Sequence, residues 1–310
     1  MLPSVRHESY MLLEHKENQV LKLPSIDTSK YKTFVFYACA NPPSSGTHRI
    51  NQEHFFERVL PGLVSRTDNV FTCLLVSEVN WSQTDTTPME VINEHCVKMH
   101  RPNIGLDFGA YTDGILFTQL HKRCETDSFH VICVNDTVFG PMIPWWVKPQ
   151  PDWVQILTNM ITEEVKLAGM SINTYSFQPP HVQSMVMSFD QVALKIAWDA
   201  EVFRNRTDKG EIIQKSEVGF SQAILDSGYN IDCLEALGHG YDYRKPSSIP
   251  PVKGHHVYGY DICYPGCYVP GCELGSLHPY DSLFCKTVRY GLATCVQLSN
   301  HLNAQNKKTP

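Results

Sequence analysis

The residue best placed for chemistry in this chain is Asp136, a carboxylate that closely follows an apolar run at 131–134. The run stops at Asn135-Asp136-Thr137, so the pattern predicts a buried strand that ends in a loop carrying the carboxylate. Ligands of open α/β sheets bind at the carboxyl ends of strands, and a carboxylate there suits the Mg²⁺ or Mn²⁺ that accompanies a diphosphate. The structural alternative is an Asx-type turn after a strand.

A second candidate segment is N-I-G-L-D-F-G-A-Y-T-D-G at 103–114. Asn103 and Asp107 flank Gly105 at a spacing that suits contacts with a base or a ribose. The segment leads into a predicted helix, whose N-terminal N–H groups can bind a nucleotide. Asp107 and Asp113 can instead be helix-capping carboxylates that the helix dipole favours.

Glu217 lies in K-S-E-V-G-F, which predicts the first turn of an amphipathic helix opened by Ser216, with Phe220, Ala223 and Ile224 on its buried face. A carboxylate there can act as a general base if an acceptor hydroxyl comes within hydrogen-bond reach. Its structural alternative is a capping role.

His181 and Gln183 are two residues apart before a predicted strand, so they project to one side and can bind hydroxyl groups. Trp145, with Trp146 and Trp153, can stack on the face of a sugar. Surface hydrogen bonding and core packing are the respective alternatives.

Three cysteines, Cys263, Cys267 and Cys272, follow His255 and His256 and form a candidate zinc site. Their spacing is C-x3-C-x4-C, without the paired C-x2-C of many zinc sites. The alternative is a set of reduced thiols in a loop.

The composition indicates an ordinary globular protein. The 310 residues are 42% apolar and 19% charged, with a net charge of −6, which argues against a dedicated nucleic-acid binder. No apolar run reaches the length of a membrane span, so we expect no integral membrane segment. The eleven cysteines form an odd, scattered set, and a sequon falls at Asn135 in the candidate site. These features favour a cytoplasmic protein.

Strands and helices alternate along the chain, which predicts parallel βαβ units. The sequence predicts strands at 31–39, 70–79, 131–136, 167–172 and 184–189, and helices at 52–64, 90–100, 108–121, 152–161, 191–203 and 217–227. Residues 1–30 are predicted to be an irregular N-terminal arm, and 238–275 a long loop rich in proline and glycine.

Five ordered blocks resemble the rhamnan-synthesis F-type glycosyltransferases of the GT-A superfamily: NIGLDFGAYTDG, VNDTVFGPM, HVQSMVMSF, SEVGFSQAILDSGYNI and LHPYDSLFCKT. The resemblance implies an α/β GT-A fold, with a Rossmann-like, mainly parallel central sheet flanked by helices and a loop-rich C-terminal part. It implies one domain at 31–295, with a nucleotide-sugar-binding half at 31–142 and an acceptor-binding half at 143–295. The tail is 296–310.

The family resemblance implies transfer of a sugar, with inversion, from a nucleoside diphosphate sugar to a glycan or polysaccharide acceptor. Rhamnose or another deoxyhexose is the favoured donor sugar. Asn135-Asp136-Thr137 takes the place of the D-x-D metal motif, from which it departs because only Asp136 is acidic. Asp136 and His278 would bind Mn²⁺ or Mg²⁺.

The resemblance also assigns roles to the other candidates. Glu217 would be the catalytic base. The nucleotide sugar would be bound by Asn103, Asp107, Asn135, Asp136 and Lys286, and the donor or acceptor sugar by His181, Gln183 and Trp145. Two other classes stay open: a catalytically silent carbohydrate- or nucleotide-binding module, and a zinc-stabilised interaction protein.

Overall fold

The structure is a computed structural model, and it describes residues 5–14, 20–81, 88–143, 147, 149–173, 178–234, 238–245 and 283–286. Most of the predicted loop at 238–275 and the whole tail at 296–310 lie outside the described residues. In the described part of the chain, no helix is long and apolar enough to cross a lipid bilayer.

Fourteen strands are described. In chain order they are β1 (Val5–Glu14), β2 (Val20–Ile26), β3 (Thr33–Asn41), β4 (Val70–Glu78), β5 (Met89–Asn93), β6 (Cys96–Pro102), β7 (His130–Asn135), β8 (Val138–Phe139), β9 (Val165–Gly169), β10 (Ile172–Asn173), β11 (His181–Val182), β12 (Val186–Asp190), β13 (Asn230–Cys233) and β14 (Cys285–Lys286).

Eight of the strands form the central sheet, in the order β13-β9-β12-β7-β3-β4-β6-β5. Strands β7, β3, β4 and β6 are parallel to one another, as are β9 and β13. Strand β12 runs antiparallel between β7 and β9, and β5 is an antiparallel edge. The predicted Rossmann-like, mainly parallel sheet flanked by helices is therefore confirmed.

The helices cover both faces of this sheet. They are α1 (Gly46–His54), α2 (Leu60–Val64), α3 (Leu106–Phe117), α4 (Leu120–Arg123), α5 (Trp153–Asn159), α6 (Gln191–Asp199), α7 (Lys209–Glu211) and α8 (Gly219–Asp226). Two π-helical segments, Phe55–Val59 and Ile212–Val218, join α1 to α2 and α7 to α8.

Among the described residues, the two larger apolar clusters of the core lie on opposite faces of the sheet. Phe34 and Phe36 of β3 belong to the cluster that includes residues of α3, α6 and α8, whereas Val35 and Tyr37 belong to the cluster with the helical run 46–64 and α5. Alternate side chains of a strand point to opposite faces, so a strand buried on both faces is a nearly continuous apolar run. This is why the strands at 31–39, 70–79 and 131–136 could be predicted.

The predicted helix at 90–100 is wrong. These residues form β5 and β6, an antiparallel pair joined by a turn at Glu94-His95. Val97 and Met99 are fully buried, while the residues that follow each of them, Lys98 and His100, are partly exposed. This alternation has the period of a strand, and the correction places Asn103 just after a parallel strand of the central sheet.

The predicted irregular arm at 1–30 also contains regular structure. Strands β1 and β2 pair with each other in an antiparallel, two-stranded sheet. Main-chain hydrogen bonds between two extended segments need no long apolar run, so composition alone did not reveal them.

Candidate functional site

The candidate site is a crevice at the carboxyl ends of the central parallel strands. From β3 the chain proceeds to β4 and β6 on one side, and it then returns to place β7 on the other side of β3. Ligands of open α/β sheets bind where the strand order reverses in this way. The cavity there has a volume of about 600 Å³, a usual size for a small-molecule site.

The crevice brings together six of the predicted site residues from four separate parts of the chain. They are Asn103, Asp107, Asn135, Asp136, Glu217 and Lys286. The lining also includes Ser44, His48, Ser184 and Lys209, none of which was predicted from the sequence. The juxtaposition follows from the topology, and the roles of the six residues stay predictions.

Asp136 is buried at the end of β7 and is held by several neighbours. Its backbone N–H donates to the carbonyl of Ala38 at 3.0 Å, and its carbonyl accepts from Nδ2 of Asn51 at 2.8 Å. The carboxylate oxygen Oδ2 accepts from the N–H of Ala40 at 3.2 Å and from Nε2 of Gln52 at 2.7 Å. The carboxylate is therefore fixed between β3 and α1.

His48 faces the other carboxylate oxygen. Its Nδ1 lies 3.2 Å from Oδ1 of Asp136 and 2.9 Å from Oγ of Ser44. Helix α1 begins after Ser45, whose hydroxyl accepts from the N–H of His48, so the histidine lies in the first turn. The sequence predicted this helix only from Gln52. Pro42-Pro43-Ser44-Ser45 is the signal for the earlier start.

Asn135 is also occupied by protein contacts. Its Oδ1 accepts from the N–H of Thr137 at 3.1 Å and from the Thr137 hydroxyl at 2.6 Å, which is the Asx-type turn expected as the structural alternative. Its Nδ2 donates to Oδ2 of Asp107 at 2.9 Å. Asn135 therefore connects the end of β7 to the start of α3.

The described donor set does not fit a divalent cation. The side-chain oxygen of Asn135 and one oxygen of Asp136 accept protein N–H or O–H groups, and the other oxygen of Asp136 faces His48. Across the described residues, no group of three or more His, Cys, Asp or Glu side chains is arranged to hold a metal. His278, the second predicted ligand, lies outside the described residues, so the metal stays a prediction.

The loop that carries Asn103 and Asp107 packs tightly against its own helix. Gly105 has φ +79° as the N-cap of α3, a conformation that favours glycine. A Cβ on Gly109 would lie 2.1 Å from the carbonyl oxygen of Ile104. The two glycines of N-I-G-L-D-F-G thus allow the backbone contact that places Asp107 at the crevice.

Asp113 lies in the middle of α3, so its predicted place at the helix start is wrong. Its side chain is fully buried and pairs with the fully buried Arg101 of β6. Charge pairing in the core therefore accounts for Asp113. Asp107 lies in the first turn of α3, as predicted, and its Oδ1 accepts the N–H of Phe108 at 3.0 Å.

Glu217 lies inside a helical run, and its predicted position at a helix start is wrong. The run begins after Asp208, whose side chain accepts the N–H of Glu211 at 2.8 Å, and Glu217 belongs to the π-helical segment that precedes α8. Ser216 is buried, and its hydroxyl donates to the carbonyl of Val202 instead of capping. The D-x-x-E pattern at 208–211 is the capping-box signal for the true start.

Ser184 connects Glu217 to Asp107. Its backbone N–H donates to Oε1 of Glu217 at 2.8 Å, and its side chain is close enough to Asp107 to lower the pKa of that carboxyl. Burial, followed by the negative charge of Glu217, raises the pKa of Asp107 above 3.8, although hydrogen bonds from Asn135 and Ser184 oppose the shift. Two interacting carboxylates therefore line this wall of the crevice.

The predicted sugar-binding residues are placed differently. His181 and Gln183 are buried and do not line the crevice: Nδ1 of His181 lies 2.9 Å from the carbonyl of Pro179, and Oε1 of Gln183 accepts from the Ser171 hydroxyl at 2.9 Å. Their predicted sugar contacts have no support in this geometry.

The tryptophan and cysteine predictions fall mostly outside the described residues. Trp145, Cys263, Cys267 and Cys272 all lie there. Trp153 is buried and packs edge-on against Phe284 at 5.6 Å, so core packing accounts for it.

Two lysines reach the crevice from distant parts of the chain. Lys286 belongs to β14, which pairs with β8 so that Lys286 lies opposite Val138, two residues beyond Asp136. Lys209 is an exposed residue at the start of the helical run that carries Glu217. Both lysines are cationic, and the lining that they share with His48 also contains three carboxylates.

A family model described as Rhamnan synthesis protein F matches residues 74–239, which is more than half of the 310 residues. The matched region begins within β4, ends six residues after β13 and contains Asp107, Asp136 and Glu217. The comparison with curated proteins gives no match.

Proposed function

The chain belongs to the rhamnan synthesis protein F family, and on that premise we propose that it is a glycosyltransferase of polysaccharide synthesis. The proposed donor is a nucleoside diphosphate sugar, and the proposed acceptor is a glycan or polysaccharide. The observation that carries the proposal is the crevice itself, which has a volume of about 600 Å³ and is lined by Asp136, His48, Asp107 and Glu217.

The donor nucleotide is proposed to bind at the ends of the parallel strands. Asn103 is exposed at the end of β6, and Asp107 follows it in the first turn of α3, so both can contact a base or a ribose. The diphosphate would then extend across the switch point towards Asp136 and Lys286. This placement supports the GT-A assignment, which stays part of the proposal.

Glu217 is proposed as the base. Its Oε1 accepts the Ser184 N–H, and within the described residues its other oxygen has no protein donor. That oxygen can accept the proton of an acceptor hydroxyl while the hydroxyl oxygen bonds to the anomeric carbon. The bond from the anomeric carbon to the diphosphate breaks, and its electron pair leaves with the diphosphate. A single displacement of this kind inverts the anomeric configuration.

The finer points of the proposal are the sugar, the compartment and the cofactor. Rhamnose or another deoxyhexose is the proposed donor sugar, by analogy with the family. Asn135 and Asn205 carry sequons, but their side-chain nitrogens donate to Asp107 and Asp113, which supports a compartment without N-glycosylation. No step of the proposal passes through a metal, because the described donors do not fit one.

A screen of nucleoside diphosphate sugars tests the proposal. Thermal unfolding of the protein with each donor, with and without Mn²⁺, identifies the donor that stabilises the fold, because a ligand of the native state raises the unfolding temperature. Release of nucleoside diphosphate from that donor then measures turnover. Glu217→Gln should retain the thermal shift and lose turnover by roughly 100-fold or more.

Glu211→Gln is the matched control, because Glu211 is on the same helical run, is exposed and pairs with Lys215. It should behave as the wild type. If no donor is turned over by the wild type although one stabilises it, the chain is a silent binding module and the proposed transfer is wrong.

A further inference from the structure

We propose, resting on the glycosyltransferase function above, that His48 binds the diphosphate of the donor. Asp136 is then a positioning residue that holds His48, and it is not a metal ligand. The inference starts from the departure of Asn135-Asp136-Thr137 from a two-carboxylate motif. It concerns residues at the switch point of the sheet, where the topology directs a ligand.

Asp136 has little capacity left for a cation. Ala40 and Gln52 both donate to its Oδ2, and the carboxylate is buried. A metal bound there would have to displace these donors or share the oxygen Oδ1 with His48. A carboxylate whose oxygens accept protein N–H groups instead orients the side chains that donate to it.

His48 is held in a defined orientation by this carboxylate. Its Nδ1 faces Oδ1 of Asp136 at 3.2 Å and Oγ of Ser44 at 2.9 Å, and the side chain is 15% exposed. With Nδ1 engaged, Nε2 on the opposite edge of the ring is left for a ligand in the crevice that His48 lines. When the proton is on Nε2, this N–H can donate a hydrogen bond to a phosphate oxygen.

The charge distribution of the crevice supports the same assignment. Its described lining holds Asp107, Asp136 and Glu217, so an anionic diphosphate needs cationic partners. Lys209 lies on the helical run of Glu217, whereas His48 lies beside Asp136 in the first turn of α1. The positive end of the α1 dipole adds to the attraction for an anion at that wall. Lys286 approaches the same wall through β14.

Inorganic pyrophosphate is the probe, because it carries the diphosphate without a base or a sugar. Its affinity for the full-length protein is measured by calorimetry, first in excess EDTA and then with Mn²⁺. The wild type should bind in EDTA, and His48→Asn should bind roughly 10- to 100-fold more weakly. The introduced asparagine side chain keeps an N–H near Asp136 but lacks the outer ring nitrogen.

Asp136→Asn should also weaken pyrophosphate binding, since the ring loses the charge that orients it. The matched control is His239→Asn, because Nδ1 of His239 lies 3.1 Å from Oδ2 of Asp232 in a similar pair outside the crevice. The control should leave the affinity unchanged. Thermal unfolding of each variant verifies that it is folded.

Two results would overturn the inference. One is pyrophosphate affinity in His48→Asn equal to that of the wild type. The other is wild-type binding that requires Mn²⁺ and is abolished by EDTA, which would make Asp136 a metal ligand. The proposed function fails separately: if pyrophosphate binds through His48 but no nucleoside diphosphate sugar is bound or turned over, the anion site stands and the glycosyltransferase proposal does not.

Discussion

Arg101 and Asp113 form an ion pair in which both side chains are fully buried, with Nε of Arg101 2.5 Å from Oδ2 of Asp113. Arg101 also donates to Oγ of Ser77 at 2.9 Å and to the carbonyl of Ile104 at 2.6 Å. One guanidinium therefore joins β4, β6, α3 and the loop that presents Asn103. The buried pair therefore holds in place the loop that presents Asn103 to the crevice.

Removing the carboxylate of this pair should be strongly destabilising. Asp113→Ala leaves the Arg101 charge buried without its main partner, which costs about 3–5 kcal/mol of unfolding free energy. Urea denaturation measures the loss. Asp199→Ala is the comparison, because Asp199 pairs with Lys195 on an exposed helix surface and should cost less than about 1 kcal/mol. Equal costs for the two variants would contradict the structural role of the pair.

Gly109→Ala should displace the loop that carries Asn103. The added methyl would lie 2.1 Å from the carbonyl oxygen of Ile104, so the backbone has to move. We expect a loss of about 1–3 kcal/mol of stability and a weaker thermal shift by the donor. Gly62→Ala, in α2, meets no atom within 4 Å and should be neutral or stabilising. An unchanged donor affinity in Gly109→Ala would show that this loop does not contribute to nucleotide binding.

Asp107→Asn should change how stability depends on pH. The folded-state pKa of Asp107 is raised above its ordinary value of 3.8. At pH values between 3.8 and the raised pKa, the native state therefore binds more protons than the unfolded state. Wild-type stability therefore falls as the pH rises through this window, and the asparagine variant lacks that loss. The free energy of unfolding of the variant, relative to that of the wild type, should increase as the pH rises. Urea unfolding at a series of pH values measures this difference. A difference that does not vary with pH would contradict the shift.

Because of the buried His54, we expect the protein to lose stability on acidification. It stacks on Phe139 at 4.0 Å, and burial lowers its pKa from 6.5 to about 4. Between those values the unfolded state binds more protons, so stability is lost as the pH falls from 6.5 to about 4, by on the order of 3 kcal/mol. His54→Phe keeps an aromatic ring against Phe139 and should not show this loss. If the free energy of unfolding depends on pH in the same way in both proteins, the lowered pKa of His54 is excluded.

Strands that are buried on both faces of the sheet were the ones that the apolar pattern predicted. The run at 131–134 is buried on both faces, so the apolar pattern alone revealed β7 and placed Asp136 at its end. In β5, at the edge of the sheet, and in the neighbouring β6, buried residues are mixed with partly exposed ones, and this segment was mistaken for a helix. The pattern of a single segment does not show which neighbour it pairs with.

The candidate site was predictable where a residue ends a strand or begins a helix after a glycine, as with Asp136 and Asp107. His48 was missed because its helix begins at Gly46, well before the predicted start at Gln52, and a lone histidine has no local signal. Ser184 was missed because its contact with Glu217 joins residues 33 positions apart. Contacts of this kind depend on tertiary packing, which periodicity does not encode.

The most direct test of the central claim is the anomeric configuration of the first sugar released from the stabilising donor, followed by proton NMR before the anomers equilibrate. Water replaces the unknown acceptor, so only the donor has to be identified. A single displacement with Glu217 as the base predicts a sugar with the opposite configuration to the donor, and Glu217→Gln should release it more slowly by roughly 100-fold or more. A product that retains the configuration of the donor would contradict a single displacement with Glu217 as the base.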